Sequence, residues 1–294
     1  RDREGGAGKP LHFQSNGRDD MMLLPCGKCI GCRLDYAKSW AIRCTHEAQM
    51  HTRNTFITLT YEDVPYGGTL IPDHYTKFMK RLRRRIEPEK VRFFMCGEYG
   101  EGQHKGQLGR PHYHALLFGY EFPDQKFWGK SAQGYNLLVS PMLEEIWGYG
   151  HCKIGEVNYE TAGYVARYCL KKITGDMAEE HYEFMVPETG EVIQKHPEFA
   201  RMSNRPGIGE PWFQKYKGDL FPCDEVVIEG RKEPVPEYYN ELYRRQDEEG
   251  YEEITNKRCE ASKAIPWQEK APKRQAVKEK VKRAQIQQLR RNSL

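Results

Sequence analysis

The sequence has no long apolar run. No uninterrupted apolar stretch approaches the roughly 18 residues that are needed to cross a bilayer. The short run from Met21 to Leu24 is too small for the core of a signal peptide. These absences argue against a membrane-spanning protein and against export through this segment. We therefore expect a soluble protein.

Low sequence complexity and disorder are excluded by what the 294 residues contain. Hydrophobic residues make up 38% of the chain and charged residues 30%, and 18 Tyr and 12 Phe are too many aromatics for an unfolded sequence. A chain of this length can bury about three quarters of its unfolded surface. We expect one large folded domain with polar extensions, or two modest domains.

Nine cysteines cannot all pair in disulfides, and this count indicates a reducing, intracellular setting. Cys26, Cys29 and Cys32 have a spacing that suits one metal ion and predicts a structural Zn²⁺. An iron–sulfur cluster and three unliganded thiols are the alternatives. Cys44 would lie about 18 Å from Cys32 along a helix. The fourth ligand stays open among several residues, namely His12, Cys44, His46, His151 and Cys152.

Positive charge is concentrated in the C-terminal segment. Between Lys257 and Leu294 there are 12 Lys or Arg and 3 Asp or Glu, a surplus of nine positive charges. Because the whole chain carries +4, residues 1–256 carry −5. This basic tail indicates either a solvated helix or an arm that contacts nucleic acid.

The hydrophobic periodicity predicts an α+β protein with an antiparallel or mixed sheet. The first 20 residues are rich in Gly and Pro and should form an irregular leader. The predicted elements are a helix over 33–51, a strand over 54–61, a helix beginning at 72, strands over 91–100 and 112–120, a short helix over 141–147, a strand over 151–157 and a helix over 159–175. The short helix follows an expected insertion.

The helix that begins at Pro72 has one apolar face and one basic face. A solvated helix face is the ordinary interpretation of such a pattern. The alternative, which we favour together with the sheet chemistry below, is contact with a DNA backbone. The basic residues on this face are Lys77, Lys80, Arg81, Arg84 and Arg85.

His112 and His114 are two residues apart on a predicted strand, so their side chains leave the same face about 6.5 Å apart along the backbone. Such a pair also occurs by chance on surface strands. Glu98 ends the preceding strand, which should pair with the His strand across a Gly-rich loop. Two imidazoles and one carboxylate suit a divalent ion such as Mg²⁺ or Mn²⁺, which polarises phosphoryl oxygens. Tyr99 and Glu101 compete with Glu98 for the third position.

Tyr164 and Tyr168 lie one turn apart on the last predicted helix, on a face that also carries Lys171 and Lys172. The apolar residues of this helix fall on the other side. A pair of half-exposed tyrosines at the rim of a core is the plain structural interpretation. The functional interpretation is that two phenols, with ammonium groups beside them that favour the phenolate, are presented to a phosphate as nucleophiles.

From Leu24 to Gly209 the chain resembles the HUH replication-initiator endonucleases. The resemblance rests on "FITLTY", "GEYG", "RPHYHALLFG" and "YVARYCLKK", and it is strongest to the rolling-circle replication initiators of gokushovirus-type microviruses, which share "PCGKCIGCR" and "RPGIG". The His motif precedes the Tyr motif, as it does in initiators rather than in conjugative relaxases. The resemblance implies that His112, His114 and Glu98 bind the metal and that Tyr164 and Tyr168 are the nucleophiles.

The resemblance also implies a fold and a reaction. The fold is an α+β HUH endonuclease fold with a central antiparallel sheet flanked by helices, a Cys-rich N-terminal segment and a basic C-terminal tail. The reaction is metal-dependent nicking and rejoining of single-stranded DNA at a phage origin through a covalent 5′-phosphotyrosine. It would start and end rolling-circle replication in the cytoplasm of the bacterial host cell.

No Gly-rich loop ending in Gly-Lys-Ser or Gly-Lys-Thr is present in the sequence, so we expect no built-in helicase motor. Host helicase and polymerase are therefore expected partners besides the origin DNA. The expected domains are a leader with the Cys cluster over 1–32, a nuclease domain over 33–175, an extension of unknown role over 176–256 and a basic tail over 257–294. The competing interpretations are a non-catalytic zinc-containing nucleic-acid-binding protein and an HUH transposase or plasmid initiator.

Overall fold

The computed structural model describes residues 29–102, 108–131, 134–168, 177–187 and 189–288. The helices are α1 (Ile30–Gln49), α2 (Pro72–Arg85), α3 (Pro141–Trp147), α4 (Tyr159–Tyr168), α5 (Met177–Tyr182), α6 (Glu210–Leu220), α7 (Glu237–Gln246), α8 (Glu248–Ala264), α9 (Trp267–Lys270) and α10 (Pro272–Gln288). The strands are β1 (Asn54–Thr60), β2 (Arg92–Glu101), β3 (Leu108–Phe118), β4 (Lys126–Lys130), β5 (Asn136–Val139), β6 (Cys152–Gly155), β7 (Glu183–Met185), β8 (Val192–Gln194), β9 (Phe199–Met202), β10 (Glu225–Ile228) and β11 (Arg231–Pro234).

Seven strands form one sheet in the order β4–β5–β6–β1–β3–β2–β9. Each pair of neighbours in this sheet is antiparallel. The α+β prediction is therefore confirmed, and the sheet is antiparallel rather than mixed. The central strands β1, β3 and β2 are long and rich in β-branched and aromatic residues, which suits strands covered on both faces.

Helices pack on both faces of the sheet, and the alternation of side chains along each strand separates two apolar cores. On one face, α2 and α3 cover the side chains of Ile57, Met95, Tyr113 and Ala115. On the other face, α1 and α4 cover a second set, namely Phe56, Phe94, Cys96, Leu116 and Phe118. We call the second face the α4 face.

The segment after residue 176 contributes to the main sheet. Strand β9 pairs with β2 and forms one edge of the sheet. Helices α6, α7 and α8 and the β10–β11 hairpin form a third apolar core against Ile42 of α1. The sequence patterns after Gly175 are too weak to predict these elements, and β9 joins the sheet through a pairing between residues about 100 positions apart.

The motif "RPGIG" is tied to the buried side of α1. The carboxylate of Glu47 accepts hydrogen bonds from the Gly209 N–H at 2.7 Å and from Arg92. Burial acts to raise the pKa of Glu47, but hydrogen bonds from His51, Arg92 and Gly209 together lower it below its usual value. Gly209 has φ of +81°, and a Cβ there would lie 2.3 Å from the Tyr239 hydroxyl. Glycine is therefore required at this position.

Several predicted elements agree with the structure. The helix expected over 33–51 is α1, which begins three residues earlier, and the short helix over 141–147 is α3. The expected insertion before α3 forms β4 and β5 at the other edge of the sheet. Among the described residues, no helix is both long enough and apolar enough to cross a bilayer.

Candidate metal centre

The register of β2 and β3 brings the predicted metal ligands together. Glu98 is directly opposite His112, and Cys96 is opposite His114. Opposed residues of an antiparallel pair project to the same face, so Glu98, His112 and His114 all lie on the α4 face. The expected pairing of these two strands is confirmed.

The three side chains converge on one point. Oε1 of Glu98 lies 2.8 Å from Nε2 of His112 and 3.0 Å from Nε2 of His114. Glu98 and His114 are buried, with 1% and 2% of their surface exposed, whereas His112 is partly exposed. One ligand atom from each residue lies within 4.8 Å of the others. This is the arrangement of a metal site that is open on the His112 side.

Both imidazoles are oriented by their other ring nitrogen. Nδ1 of His112 lies 3.1 Å from the carbonyl oxygen of Arg110, and because a carbonyl only accepts, Nδ1 carries the proton. Nδ1 of His114 lies 2.9 Å from the hydroxyl of Thr58. In both rings Nε2 is therefore directed at the cluster. Second contacts of this kind are typical of metal-binding histidines, and the donor set fits a divalent ion.

The charge state of Glu98 also suits a cation. Burial acts to raise the pKa of this carboxyl, but hydrogen bonds to His112 and His114 overcome it and lower the pKa to about 2. Glu98 is therefore ionised at neutral pH. An ionised, buried carboxylate beside two imidazoles is stabilised by positive charge placed among them.

The two residues that competed with Glu98 differ in their positions. The Tyr99 side chain is buried on the opposite face of the sheet, where its hydroxyl donates to the carbonyl oxygen of His196 at 2.7 Å. Tyr99 cannot reach the cluster because neighbouring residues on a strand project to opposite faces. The side chain of Glu101 lies outside the described residues.

Tyr164 on α4 lies directly against the cluster. Its ring is 5.1 Å from the His114 ring, centroid to centroid, with the planes at 81°. It also meets Phe56 edge-on at 6.3 Å. Ala162 and Val165 of the same helix are buried against the sheet, as the apolar stripe predicts. Tyr164 is thus not confined to the outer face of α4, because its long side chain reaches back to the sheet.

The second predicted nucleophile is only partly described. Helix α4 extends to Tyr168, but the Tyr168 side chain and the whole of Lys171 and Lys172 lie outside the described residues. Their predicted roles stay predictions.

A cleft leads from the surface to Tyr164. It has a volume of about 700 Å³ and lies between α1, α4 and the turn of the β10–β11 hairpin. Its lining includes the basic side chains of Lys38, Arg167 and Lys282. Lys38 is paired with Glu233 at 2.8 Å. Lys282 belongs to α10, so part of the basic tail reaches this cleft.

The predicted zinc ligands lie at the start of α1. Sγ of Cys29 is 3.5 Å from Sγ of Cys32, so these two thiols could share one ion, and Cys26 lies outside the described residues. Two of the candidate fourth ligands are used elsewhere. Cys44 is buried beneath α4, and His46 is stacked on Trp212 with ring centroids 3.5 Å apart. A zinc ion at the cysteines remains a prediction.

The remaining three candidates for the fourth zinc ligand are also separate from the thiols where they are described. Cys152 is buried in the core beneath α2 and α3. His151 is exposed, with Nδ1 3.7 Å from Glu144. His12 lies outside the described residues.

The basic face of α2 is not near the cluster. Because α2 covers the face opposite to the α4 face, its basic residues point away from the sheet on the far side. Arg81 donates to the carbonyl oxygens of Ile146 and Trp147 at 2.7 Å each, and Lys77 pairs with Asp73. The predicted DNA contacts of Lys77, Lys80, Arg81, Arg84 and Arg85 therefore stay predictions, separate from the cluster.

Thr58 is a site residue that sequence patterns did not identify. It lies in "FITLTY" on β1, opposite His114 in the β1–β3 register. The alternation of side chains along β1 places Phe56, Thr58 and Thr60 on one face. That alternation could have suggested Thr58, but only the strand register shows which residue it meets.

Comparisons with known proteins agree with this site. The family model described as replication-associated protein ORF2 matches residues 54–173, a range that contains the cluster and α4. Replication-associated protein VP4 of Bdellovibrio phage phiMH2K is 32% identical over 243 residues, which cover 80% of this chain and 71% of that protein. No solved structure shows significant similarity to the chain.

Two further relatives carry similar names. Replication-associated protein ORF2 of Spiroplasma virus 4 is 32% identical over 261 residues, or 83% of this chain and 76% of that protein. Replication-associated protein ORF4 of Chlamydia phage 1 is 27% identical over 230 residues, or 76% of this chain and 54% of that protein. The fold and site define an α+β protein with a candidate metal centre. The chain belongs to the replication-associated protein family of the microviruses.

Proposed function

We propose that the chain is a metal-dependent tyrosine endonuclease and strand transferase with an HUH fold. It nicks and rejoins single-stranded DNA at a phage origin to start and end rolling-circle replication. The single observation that carries this proposal is the contact between Tyr164 and His114, because it places a phenol beside a cluster that suits a divalent ion. The names of the relatives support a role in phage replication.

The ion would be held by Glu98, His112 and His114. When bound, Mg²⁺ or Mn²⁺ would withdraw charge from the non-bridging oxygens of the scissile phosphate. Thr58 and the Arg110 carbonyl keep both Nε2 atoms directed at the ligand position, so the protein does not have to reorganise these rings during the reaction.

The tyrosine oxygen attacks phosphorus as the bond from phosphorus to the 3′ oxygen breaks. The phenol proton is lost, the departing 3′ oxygen gains a proton, and the 5′ phosphate remains joined to the tyrosine. The free 3′-hydroxyl can then be extended by a host polymerase. Because the phosphotyrosine bond keeps the energy of the phosphodiester, rejoining by the reverse attack requires no ATP.

Two nucleophiles fit the demands of rolling-circle replication. After one lap the regenerated origin must be cut while the first 5′ end is still attached to the protein. Tyr164 and Tyr168 are one turn apart on α4, about 6 Å along its axis. Each can therefore attack while the other holds DNA. The basic cleft beside Tyr164 is a suitable path for the strand.

The direct test is a covalent adduct on single-stranded DNA. The purified chain is incubated with Mn²⁺ and a labelled oligonucleotide that carries the phage origin, and denaturing gels show whether label migrates with protein. Tyr164→Phe and Tyr168→Phe should each retain some adduct, and the double variant should form none. Adduct in the double variant would contradict the proposal, and DNA binding without any adduct would favour a non-catalytic nucleic-acid-binding protein.

A further inference from the structure

An exposed indole stands at the edge of the main sheet. Trp128 on β4 is 59% exposed. The ammonium nitrogen of Lys153 lies 3.3 Å from the centre of its ring, so one face of the indole is held by a cation. Beside it, a Cβ on Gly129 would meet no atom within 4 Å, which shows that the surroundings are open.

The indole lies on the same face of the sheet as the metal centre. Lys153 is opposite Thr58 in the β1–β6 register, and Thr58 in turn bonds His114. Opposed residues share a face, so Lys153 and the Trp128 ring that it contacts belong to the α4 face.

A β-bulge accounts for the direction of Trp128. The β4–β5 register shifts between Phe127 and Gly129, so Trp128 is the extra residue of the bulge. Bulges of this kind re-aim a side chain and are frequent next to active sites. Phe127 is equally exposed at 63%, but it is paired with Leu138, which packs against the core on the opposite face. The two neighbouring aromatics therefore belong to different faces.

The surface between Trp128 and the cluster is concave and partly basic. A depression of about 310 Å³ on the α4 face is lined by Phe56, Lys130 and Tyr135, among others. Phe56 stacks 5.7 Å from the His114 ring, centroid to centroid, so the depression ends at the metal centre. Strand β4 carries Lys126 and Lys130, both exposed, and no acidic residue.

Exposed aromatic rings next to lysines are the standard elements of a surface that binds single-stranded nucleic acid, because rings stack on bases and ammonium groups meet phosphates. We propose that Trp128 is a stacking platform for one base of the DNA strand whose scissile phosphate lies at the metal centre. The choice of ligand rests on the proposed function. Four strand spacings of about 4.8 Å separate β3 from β4, so the stacked base lies about 19 Å from the cluster. That distance is about six stacked nucleotides.

The test separates contacts to bases from contacts to phosphates. Affinities of the full chain are measured by fluorescence anisotropy for a 30-nucleotide oligo(dT) and for an abasic strand of the same length. We expect Trp128→Ala to weaken oligo(dT) binding about 10-fold and to leave binding of the abasic strand unchanged. Trp128→Phe should retain most of the affinity. Phe127→Ala is the matched control, with an unchanged affinity for both strands.

The outcomes distinguish this proposal from the proposed function. Unchanged oligo(dT) affinity in Trp128→Ala, or an equal loss in Phe127→Ala, overturns the stacking role even if the chain forms a covalent adduct. Selective loss in Trp128→Ala together with no adduct in the wild type supports the stacking role and overturns only the cleavage. Because Trp128 is exposed, we expect its variants to keep the wild-type melting temperature, which verifies that they are folded.

Discussion

The hydroxyl oxygen of Thr58 lies 2.9 Å from Nδ1 of His114, across the β1–β3 pair. This contact fixes which nitrogen of the imidazole faces Glu98. Without it the ring could rotate or adopt the other tautomer, and Nε2 would no longer be held at the ligand position.

Thr58→Val should therefore weaken Mn²⁺ binding and slow DNA cleavage by about 10- to 100-fold, because valine keeps the shape of threonine and removes its hydroxyl. Thr58→Ser should retain most of both. Thr60→Val is the matched control, since Thr60 lies on the same face of β1 but donates to the carbonyl oxygen of His151. Calorimetric titration with Mn²⁺ measures the affinity. Wild-type affinity in Thr58→Val would show that the contact does not orient His114.

The elements that surround this contact could largely be predicted from the sequence. Periodicity identifies β1, β2, β3 and α4, and the two-residue spacing of His112 and His114 places both on one face. The position of α2 on the far side of the sheet could not be predicted, because local periodicity shows which helix face is buried but not against which face of the sheet it packs. The sequence therefore could not show that the basic residues of α2 lie away from the cluster.

The parts that the sequence did not reveal depend on distant pairing or on register. Strand β9 has only four residues, and its place at the sheet edge follows from its pairing with β2. The direction of Trp128 follows from a register shift that no local pattern encodes. Tyr164 contacts His114 only because α4 crosses the sheet above β3.

Removal of the divalent ion should abolish cleavage, and Mn²⁺ or Mg²⁺ should restore it. His114→Ala should lose cleavage and retain most of its affinity for single-stranded DNA, because the cluster polarises the phosphate whereas binding depends on other surfaces. His151→Ala, at an exposed histidine on the surface, is the control and should cleave normally. The measurement is adduct yield in EDTA and in added metal. Cleavage at full rate in EDTA would contradict a metal centre.

The stability of the fold should depend on pH through His46. Burial lowers the pKa of this imidazole to about 3, from an ordinary value of 6.5. Below pH 6.5 the unfolded chain therefore binds a proton that the folded chain does not bind. The free energy of unfolding should fall by about 1.4 kcal/mol per pH unit from this residue as the pH drops from 6.5 towards 4.5.

Urea unfolding of wild type and His46→Gln across this range checks the prediction. The variant loses the stacking on Trp212 and should be less stable at pH 7. Its slope against pH should nevertheless be shallower than that of the wild type. Equal slopes would mean that His46 does not titrate differently in the two states.

We expect one zinc ion per chain at Cys26, Cys29 and Cys32, distinct from the catalytic ion. Elemental analysis of protein purified without chelator should find one equivalent of zinc in the wild type and in His114→Ala, and much less in Cys29→Ser. The near contact between the thiols of Cys29 and Cys32 is the physical reason. Wild-type protein without zinc would count against this site.

The central claim is that tyrosines on α4 attack DNA, and mapping the adduct tests it most directly. Trypsin cleaves after Arg167, so Tyr164 and Tyr168 fall on different peptides, residues 154–167 and 168–171. Fragmentation separates Tyr164 from Tyr159 on the first peptide. After cleavage with Mn²⁺ and nuclease digestion, mass spectrometry should find a nucleotide 5′-phosphate on Tyr164, on Tyr168 or on both. A nucleotide on any other residue, or cleaved DNA with no modified tyrosine, would contradict the account.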